Sequence, residues 1–456
     1  MTIPLSPEQS ATIAWVVEQL KAGVKVVAIT GLAGTGKSYL IGSLRAAIEA
    51  ALQHRVDIGA PTHRAAMVLR MKGVRDAETI HHLALEPLYD DDYTEALQMV
   101  LPRDNPRALP YTDETPMGLL WLARQEWDAQ TPWPGEARLQ ERAQRYGAEK
   151  ALRSVGITAK GHVVGYGPRV QPGSTVLCDE ASMVGQELLT LCREAYSQVV
   201  LIGDPGQLPP VNDVPALSLV PGRQLLEIHR QGASSTILPL AYAAREGTVN
   251  WYGNLRGSLP DVVRILAHDI VTAQQVPLLV WSNKARLSAT TAMRKVLGYH
   301  PQDGLLRPGE PLVCRNTHAE DRLDGYYNNG FFRIVAVDPL NPRWIQVISE
   351  DEEEVLPMWV QVHMEELDGP YVEPKAVLFR FGYALTAHMA QGGEWPVVAV
   401  DMTDLLAHRA THLREGNKEE PARWQYTCLT RAKRQVLLLS HRVFRRGADV
   451  NGEVTP

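Results

Sequence analysis

The chain has 456 residues, and its 46 basic and 52 acidic side chains give a formal net charge of −6. A hydrophobic fraction of 45% and a charged fraction of 21% are typical of globular proteins, and the length indicates about two to four domains. The slightly acidic balance excludes a uniformly basic nucleic-acid coat, although it is compatible with a local basic groove.

Cysteine usage and hydropathy indicate the compartment. Cys178, Cys192, Cys314 and Cys428 show no metal-ligand spacing, and they are too few for a disulfide scaffold. Nothing resembles a signal peptide, and no apolar run reaches the roughly 20 residues needed to span a bilayer. We therefore expect a soluble, cytoplasmic enzyme with no membrane partner.

The most informative local pattern is a phosphate loop of the G-x-x-x-x-G-K-[ST] type at residues 31–38, GLAGTGKS. The preceding residues 26–30 are apolar and β-branched, which predicts a buried strand, and residues 39–44 take up helical spacing. In such a loop, backbone N–H groups approach nucleotide phosphates at a helix N-terminus. We expect Lys37 to neutralise phosphate oxygens and Ser38 to ligate Mg²⁺, so that the chain binds and hydrolyses a nucleoside triphosphate.

The pattern around the phosphate loop is interrupted once. Residues 1–84 and 174–212 alternate between predicted strands and helices, whereas residues 85–173 are polar and rich in proline. An interruption of about 90 residues is too long for a structureless loop. We therefore expect an inserted subdomain.

The insertion carries three predicted elements. Residues 117–129 and 135–154 are amphipathic helix candidates, and the glycine-rich residues 161–167 are a candidate for a short hairpin. Its tryptophans either stack on nucleic-acid bases or fill a hydrophobic core, and we favour the core. They are Trp121, Trp127 and Trp133.

Two later strands end in polar residues. Residues 176–180, VLCDE, form an apolar run that ends in two carboxylates, of which Asp179 could hold Mg²⁺ and Glu180 could polarise the attacking water. Residues 200–210, VLIGDPGQLPP, form the next strand and turn, where Gln207 could sense the γ-phosphate.

The second half changes class twice. Residues 214–305 return to strand and helix alternation, residues 306–377 look all-β, and the alternation resumes from residue 376. The turn signal at residues 328–330 precedes a strand at residues 331–337. Further strands are predicted at residues 278–282, 344–349, 357–364 and 435–439, a helix at residues 284–297, and a solvated acidic turn at residues 350–354.

These segments resemble, in order, the motifs of the superfamily 1 helicases, and within them the 5′→3′ branch that includes the RecD-like and phage Dda-like enzymes. A single short string could match by chance, but so many in one order could not. Besides the phosphate loop they are residues 5–9 (LSPEQ), 60–66 (APTHRAA), 79–83 (TIHHL), 179–183 (DEASM), 203–210 (GDPGQLPP), 227–231 (EIHRQ), 281–284 (WSNK), 385–394 (LTAHMAQGGE) and 426–432 (YTCLTRA).

The resemblance implies ATP and Mg²⁺ as cofactors and assigns a role to each motif residue. The implied catalytic residues are Lys37, Glu180, Gln207, Arg230 and Arg431. The implied nucleotide-binding residues are Gln9, which reads adenine, and Gly34, Thr35, Gly36, Lys37, Ser38, Asp179 and Glu394. Ser38 and, through water, Asp179 are the implied Mg²⁺ ligands.

The resemblance also implies a single-stranded DNA groove across two motor domains. Its implied DNA-binding residues are Pro61, Thr62, His63, Thr79, His81, Asn283, Thr386 and His388. The implied partners are single-stranded DNA, its junctions with duplex, and single-strand-binding, replication or repair proteins. The motor is expected to act as a monomer.

The implied fold is α/β, with two RecA-like parallel-sheet motor domains, an inserted wedge subdomain in the first and an SH3-like β insertion in the second. The first motor domain is expected at residues 1–84 and 174–213, and the wedge at residues 85–173. The second motor domain is expected at residues 214–305 and 378–456, and the SH3-like insertion at residues 306–377. Since only a few residues precede Gln9, we expect no upstream nicking domain.

Two departures from the family pattern and two alternatives follow. Met389 stands where the family usually has a lysine, which removes a cation from the expected DNA-facing segment, and the insertion exceeds the compact Dda-like wedge. No site is assigned to the aromatic residues at 326–327 and 331–332, because such strands often fill a barrel core. The alternatives are an ATPase that remodels protein–nucleic acid complexes and an RNA helicase of the same superfamily.

Overall fold

Two compact units make up the part of the chain that the structure, a computed structural model, describes. The larger holds the described residues up to Ala84 and from Val170 onward, and the smaller those between Leu85 and Arg169. The described residues are 5–101, 120, 123, 135–155, 157, 162–211, 213–228, 235–249, 262–265, 276–299, 304–315, 328–350, 358–368, 376–402 and 419–439.

Strands in the described ranges carry the labels β1 to β18 in chain order. The first nine are β1 Val26–Gly31, β2 Val56–Ala60, β3 Glu78–Thr79, β4 Leu85–Tyr89, β5 Val163–Pro168, β6 Gln171–Cys178, β7 Tyr196–Gly203, β8 Gly222–Leu225 and β9 Val262–Ile265. The others are β10 Leu278–Val280, β11 Pro311–Cys314, β12 Phe331–Val337, β13 Trp344–Ser349, β14 Met358–Met364, β15 Val377–Phe381, β16 Ala384–Thr386, β17 Trp395–Asp401 and β18 Ala432–Leu439.

Helices in the same ranges carry the labels α1 to α12. They are α1 Pro7–Lys21, α2 Lys37–Leu52, α3 His63–Met71, α4 Ile80–Ala84, α5 Asp91–Val100, α6 Glu136–Tyr146, α7 Ala148–Arg153, α8 Gln186–Ala195, α9 Ile237–Arg245, α10 Asn283–Val296, α11 Ala387–Ala390 and α12 Glu419–Leu429. No helix among the described residues is both long and apolar enough to cross a lipid bilayer.

The first sheet has six parallel strands in the order β3-β2-β6-β7-β1-β8. Helices cover both of its faces, which is why the strands β1, β2 and β7 are almost fully buried. On one face α2 buries Leu40, Ile41 and Leu44 against the sheet, and on the other α8 buries Leu189. The carboxyl ends of these strands meet at one edge, where a ligand site is expected in such a sheet.

The second sheet has five parallel strands in the order β16-β10-β17-β18-β9. Its core includes Leu279, Val398, Trp424 and Val436 from three strands and from α12. The prediction of an α/β protein with two parallel sheets is confirmed.

A closed barrel of β11 to β15 interrupts the second sheet. Phe332, Phe379 and Phe381 fill its interior. The expected core role is thus confirmed for Phe332, whereas Phe331 packs in the core of the second sheet and residues 326–327 lie outside the described residues. Its last strand, Val377–Phe381, pairs with both β11 and β14 and so closes the barrel. The expected boundary at residue 377 therefore falls at the start of a barrel strand, and the barrel continues to Phe381.

A cluster of buried ion pairs, here called the barrel joint, connects α10 to the barrel. Arg294 Nε donates to Glu310 Oε1 at 2.7 Å, and neither side chain is more than 3% exposed. Arg286 pairs with Glu366 at 2.6 Å, and Arg380 pairs with Glu365 at 2.7 Å. Each of these buried arginines has a carboxylate partner, which is the condition for burying charge at tolerable cost.

The smaller unit is closed at its base by a two-stranded ribbon. Val163–Pro168 pairs antiparallel with Leu85–Tyr89, so the two ends of the insertion come together. The predicted hairpin at residues 161–167 is therefore wrong, because the strand finds its partner more than 70 residues earlier in the chain. Local turn signals cannot reveal such a distant partner.

The second predicted helix of the insertion is also corrected. Residues 135–154 form two helices, α6 and α7, separated at Gly147, whose φ of 92° is incompatible with a continuous right-handed helix. Leu120 and Ala123 pack with Tyr93, Leu139 and other residues in the core of this unit. The rest of the predicted helix at residues 117–129, with the tryptophans at 121, 127 and 133, lies outside the described residues.

Candidate functional site

A cleft of about 860 Å³ opens at the carboxyl edge of the first sheet. Its walls come from the phosphate loop, from the ends of β6 and β7, and from the second motor region. The lining residues are Ser6, Gln9, Ala33, Gly34, Gly36, Lys37, Ser38, Tyr39, Gly42, Lys72, Gly73, Val74, Asp179, Glu180, Gln207, Glu394, Thr430, Arg431 and Lys433.

The phosphate loop links β1 to α2, as the sequence predicts. Gly34 and Gly36 have φ values of 91° and 80°, a backbone region that residues other than glycine rarely adopt. Lys37 Nζ donates to the carbonyl oxygens of Gly31 and Leu32 at 2.7 and 2.9 Å. The lysine thus folds back over its own loop at the N-terminus of α2, where backbone N–H groups favour an anion.

Two carboxylates follow β6 at the floor of the cleft. Ser38 Oγ donates to Asp179 Oδ2 at 3.2 Å, which joins the loop to the next motif. Burial and, second, the charge of Glu180 raise the pKa of Asp179 to about 6. Glu180 itself has a φ of 51°, an uncommon backbone conformation for a residue other than glycine and one that often occurs at functional sites.

Cations from both motor regions face these carboxylates. An Arg431 guanidinium nitrogen lies 3.9 Å from Glu180 Oε1, and the arginine is only 4% exposed. Glu394 lies between Lys72 at 3.5 Å and Lys433 at 3.2 Å. Despite its burial, the pKa of Glu394 is lowered, because Lys72, Lys433 and Arg431 favour its charged form.

Two glutamines complete the cleft. Gln207 is 5% exposed, and its Oε1 has no hydrogen-bond partner among the described residues. Gln9 accepts a hydrogen bond from the Ser6 backbone N–H at 3.0 Å and so forms a capping box at the start of α1. Both glutamines line the cleft, as expected from their motifs.

Two of the predicted nucleotide-site residues are not on the cleft wall of the described structure. Thr35 is buried, and its hydroxyl donates to the Leu32 carbonyl at 2.9 Å, so it braces the loop from inside. Arg230 lies outside the described residues.

The predicted DNA-binding residues of the first motor region lie at the carboxyl ends of β2 and β3. Thr62 caps α3 by accepting from the Ala65 N–H at 3.2 Å, and Thr79 accepts from the His82 N–H at 3.2 Å. Pro61 is half-buried and His81 is exposed. His63 is 4% exposed, and burial followed by the charges of two arginines lowers its pKa to about 3.

The second set follows β10 and β16, which are neighbours in the second sheet. Asn283 is exposed at the start of α10, whereas Thr386 is 9% exposed. Burial lowers the pKa of His388. The segment that follows His388 approaches the first set, because a Cβ built on Gly392 would lie 3.1 Å from Thr62 Oγ1.

The position of Met389 differs from the expectation for a DNA-facing residue. Met389 is 9% exposed and packs in the core of the second sheet. Its Sδ accepts a hydrogen bond from Arg380 Nη1 at 3.3 Å. Its side chain therefore points inward, and the missing lysine removes no cation from the surface there.

Two tyrosines and two lysines make contacts at the cleft that the sequence does not predict. The Tyr426 and Tyr242 hydroxyls bond to the backbone of Ala33 in the phosphate loop. Lys72 and Lys433 hold Glu394. Tyr426 was visible inside the motif at residues 426–432, but its partner lies 393 residues away, and no local pattern reports that pairing.

Two family models match the chain. Residues 4–256 match the AAA domain, and residues 381–439 match the UvrD-like helicase C-terminal domain. The first match covers more than half of the chain and includes the phosphate loop, and the second includes Arg431.

Individual relatives are similar to the chain over different spans. The ATP-dependent RecD2 DNA helicase of Deinococcus radiodurans is 30% identical over 268 residues, which cover 52% of this chain and 34% of the relative. The matched stretch therefore spans about a third of that relative's length. Pif1 helicase from Candida albicans has a TM-score of 0.46 and 17% identity over 96% of each chain. Bacteroides Pif1 bound to ssDNA has a TM-score of 0.48 and 15% identity over 96% of this chain and 92% of that one.

Proposed function

This chain belongs to the AAA domain family, and on that premise we propose that it is an ATP-driven motor of the RecD-like branch of superfamily 1. It would move 5′→3′ along single-stranded DNA and unwind the duplex ahead. The observation that carries the proposal is the approach of Arg431 to Glu180 across the cleft, at 3.9 Å. Glu180 follows a strand of the first sheet, and Arg431 precedes a strand of the second sheet. A change at the nucleotide between these two residues would therefore move the two sheets relative to each other.

The cleft fits a nucleoside triphosphate with its cation. Two glycines with positive φ keep the loop free of side chains, and the N-terminus of α2 points into it. Among the described residues no group of three or more His, Cys, Asp or Glu side chains could hold a metal ion by itself. Ser38 and Asp179 would instead hold Mg²⁺ together with phosphate oxygens, and the bound ion would neutralise charge on those phosphates.

The chain's own residues account for the hydrolysis step. Glu180 would accept a proton from the attacking water while the bond between the γ-phosphorus and the ADP oxygen breaks. Gln207, whose buried Oε1 has no partner in the part of the chain that the structure describes, would orient that water. Lys37 and Arg431 would donate hydrogen bonds to the phosphate oxygens on which charge develops. Gln9 would hold the adenine.

The single strand would lie along the carboxyl edges of the two sheets. Thr62 and the Gly392 segment meet there, and Asn283 and His81 are exposed on it. Contacts at such an edge involve phosphates and base faces, so affinity should fall steeply with salt and depend weakly on sequence. We assign the insertion between Leu85 and Arg169 the role of the wedge, and the monomer the role of the motor.

ATPase assays test this proposal directly. Turnover is measured without nucleic acid, with single-stranded DNA and with single-stranded RNA of the same sequence. Strong stimulation by DNA supports the proposal, whereas stimulation by RNA alone would identify an RNA motor. Absence of ATP hydrolysis under all three conditions would contradict it. The control variant Glu180→Gln should remain inactive in each assay.

A further inference from the structure

The peptide unit of Ala33, inside the phosphate loop, is held by two tyrosines of the second motor region. The Ala33 N–H donates to Tyr426 Oη at 2.7 Å, and the Tyr242 hydroxyl donates to the Ala33 carbonyl oxygen at 2.6 Å. The two rings stack with centroids 6.3 Å apart and an interplanar angle of 22°. We call Tyr242 and Tyr426 the tyrosine clamp.

Tyr426 also reaches the loop that carries Gln207. Its hydroxyl donates to Asp204 Oδ2 at 2.5 Å, and Asp204 is fully buried and also accepts from the Gly206 N–H at 2.8 Å. Burial and the neighbouring Asp204 raise the pKa of Tyr426, so the hydroxyl keeps its proton and remains a donor. One hydroxyl thus touches both the phosphate loop and the turn after β7.

A short, hydrogen-bonded path leads from Tyr426 to Arg431. The Thr430 N–H donates to the Tyr426 carbonyl at 3.0 Å, and Arg431 Nε donates to the Thr427 carbonyl at 3.2 Å. All of these residues are buried. A displacement of the Tyr426 end of this turn would therefore displace the guanidinium of Arg431.

We propose that the tyrosine clamp positions Arg431 in the cleft by fixing the end of α12 to the phosphate loop. The inference rests on the proposed ATPase activity and adds two positioning residues to it. The two hydroxyls bond to Ala33 and Asp204. The clamp therefore acts through Arg431, whose misplacement by about 1 Å would be costly to the reaction.

Tyr426→Phe keeps the ring and removes both hydrogen bonds. One of these goes to a buried carboxylate, so DNA-stimulated kcat should fall about tenfold. KM for ATP should change less than about twofold, since the nucleotide contacts stay in place. Tyr242→Phe removes one neutral hydrogen bond and should lower kcat about threefold.

Tyr196→Phe is the matched control. The Tyr196 hydroxyl donates to Asp57 at 2.8 Å and accepts from Gln171 at 2.9 Å, so its hydrogen bonding parallels that of Tyr426. It lies at the opposite end of β7 from the cleft. Its kcat should equal that of the wild type, whatever stability is lost.

A double-mutant cycle with Arg431→Lys separates positioning from a general structural effect. If Tyr426 acts through Arg431, Tyr426→Phe should lower kcat little further in the Arg431→Lys background. Additive losses, or an unchanged kcat in Tyr426→Phe, would overturn the proposal. If Tyr426→Phe does not fold, Tyr242→Phe carries the same cycle and the same criteria. A wild-type protein without ATPase activity would instead refute the proposed function itself.

Discussion

The nucleotide cleft and the barrel joint both bury polar and charged groups, but Gln207 of the cleft and the Arg294–Glu310 pair of the joint are in opposite states. In the joint, Arg294 and Glu310 are less than 4% exposed and pair at 2.7 Å. In the cleft, the buried Gln207 has an Oε1 without a partner among the described residues, and Asp179 lies beside the like charge of Glu180. Unpaired buried polar groups cost free energy. Gln207 lines the cleft, where a bound nucleotide and its attacking water would supply the missing partner, whereas the Arg294–Glu310 pair fixes a connection.

The first prediction tests the open state of the cleft, where we expect the largest effect. Lys37→Ala should weaken both nucleotide binding and turnover, because it removes a cation from the phosphates. Glu180→Gln should still bind ATP but lose up to about 10⁴-fold in kcat, because the amide cannot take the proton. Fluorescent-nucleotide titration and steady-state ATPase assays separate the two. Near-wild-type hydrolysis by Glu180→Gln would contradict the assignment of Glu180 as the general base.

The second prediction tests the paired state of the joint. Arg294→Met leaves Glu310 buried without its cation, so the free energy of unfolding should fall by about 3–5 kcal/mol. Arg333→Met breaks a partly exposed barrel pair with Glu350 and should cost less than about 1 kcal/mol. Urea unfolding curves measure both. Equal losses would show that burial does not distinguish the two pairs.

The third prediction concerns His63, which is buried although it lies at the sheet edge proposed to bind single-stranded DNA. Its pKa is about 3 in the folded chain and 6.5 in its ordinary state. As the pH falls below about 6.5, His63 becomes protonated in the unfolded chain but stays neutral in the folded chain. The free energy of unfolding therefore decreases as the pH falls from about 6.5 to about 3.

His63→Gln should therefore lose less stability than the wild type between about pH 7.5 and pH 5. The measurement is the urea midpoint at both pH values, with the exposed His82→Gln as the control. An identical pH dependence of His63→Gln and wild type would contradict the assignment of a neutral His63.

The smallest effect is expected in the insertion. Asp90 caps α5 by accepting from the Tyr93 N–H at 2.9 Å and pairs with His162 at 2.8 Å. Asp90→Ala removes both the cap and the pair and should destabilise the insertion more than His162→Gln, which removes the pair alone. Limited proteolysis locates the loosening. If the insertion is the wedge, Asp90→Ala should reduce unwinding and spare DNA-stimulated ATPase; equal losses of both activities would argue against that role.

Sequence was most informative where function depends on neighbours in the chain. The strand, loop and helix around Lys37 form from adjacent residues, and Asp179 follows its own strand. The contacts that sequence could not predict join distant segments: β5 with β4, β15 with β11 and β14, and Tyr426 with Ala33. Such pairings depend on how the whole chain packs, which no local periodicity encodes.

An unwinding assay with tailed duplexes tests the proposed 5′→3′ helicase activity, since the ATP motifs alone do not determine the direction of movement. Two duplexes of identical sequence are prepared, one with a 5′ single-stranded tail and one with a 3′ tail, and strand separation is followed with ATP. We expect unwinding of the 5′-tailed duplex and none of the 3′-tailed duplex, with Glu180→Gln inactive on both. Preferential unwinding of the 3′-tailed duplex would contradict the proposed polarity, and ATP hydrolysis without separation of either would contradict the proposed helicase.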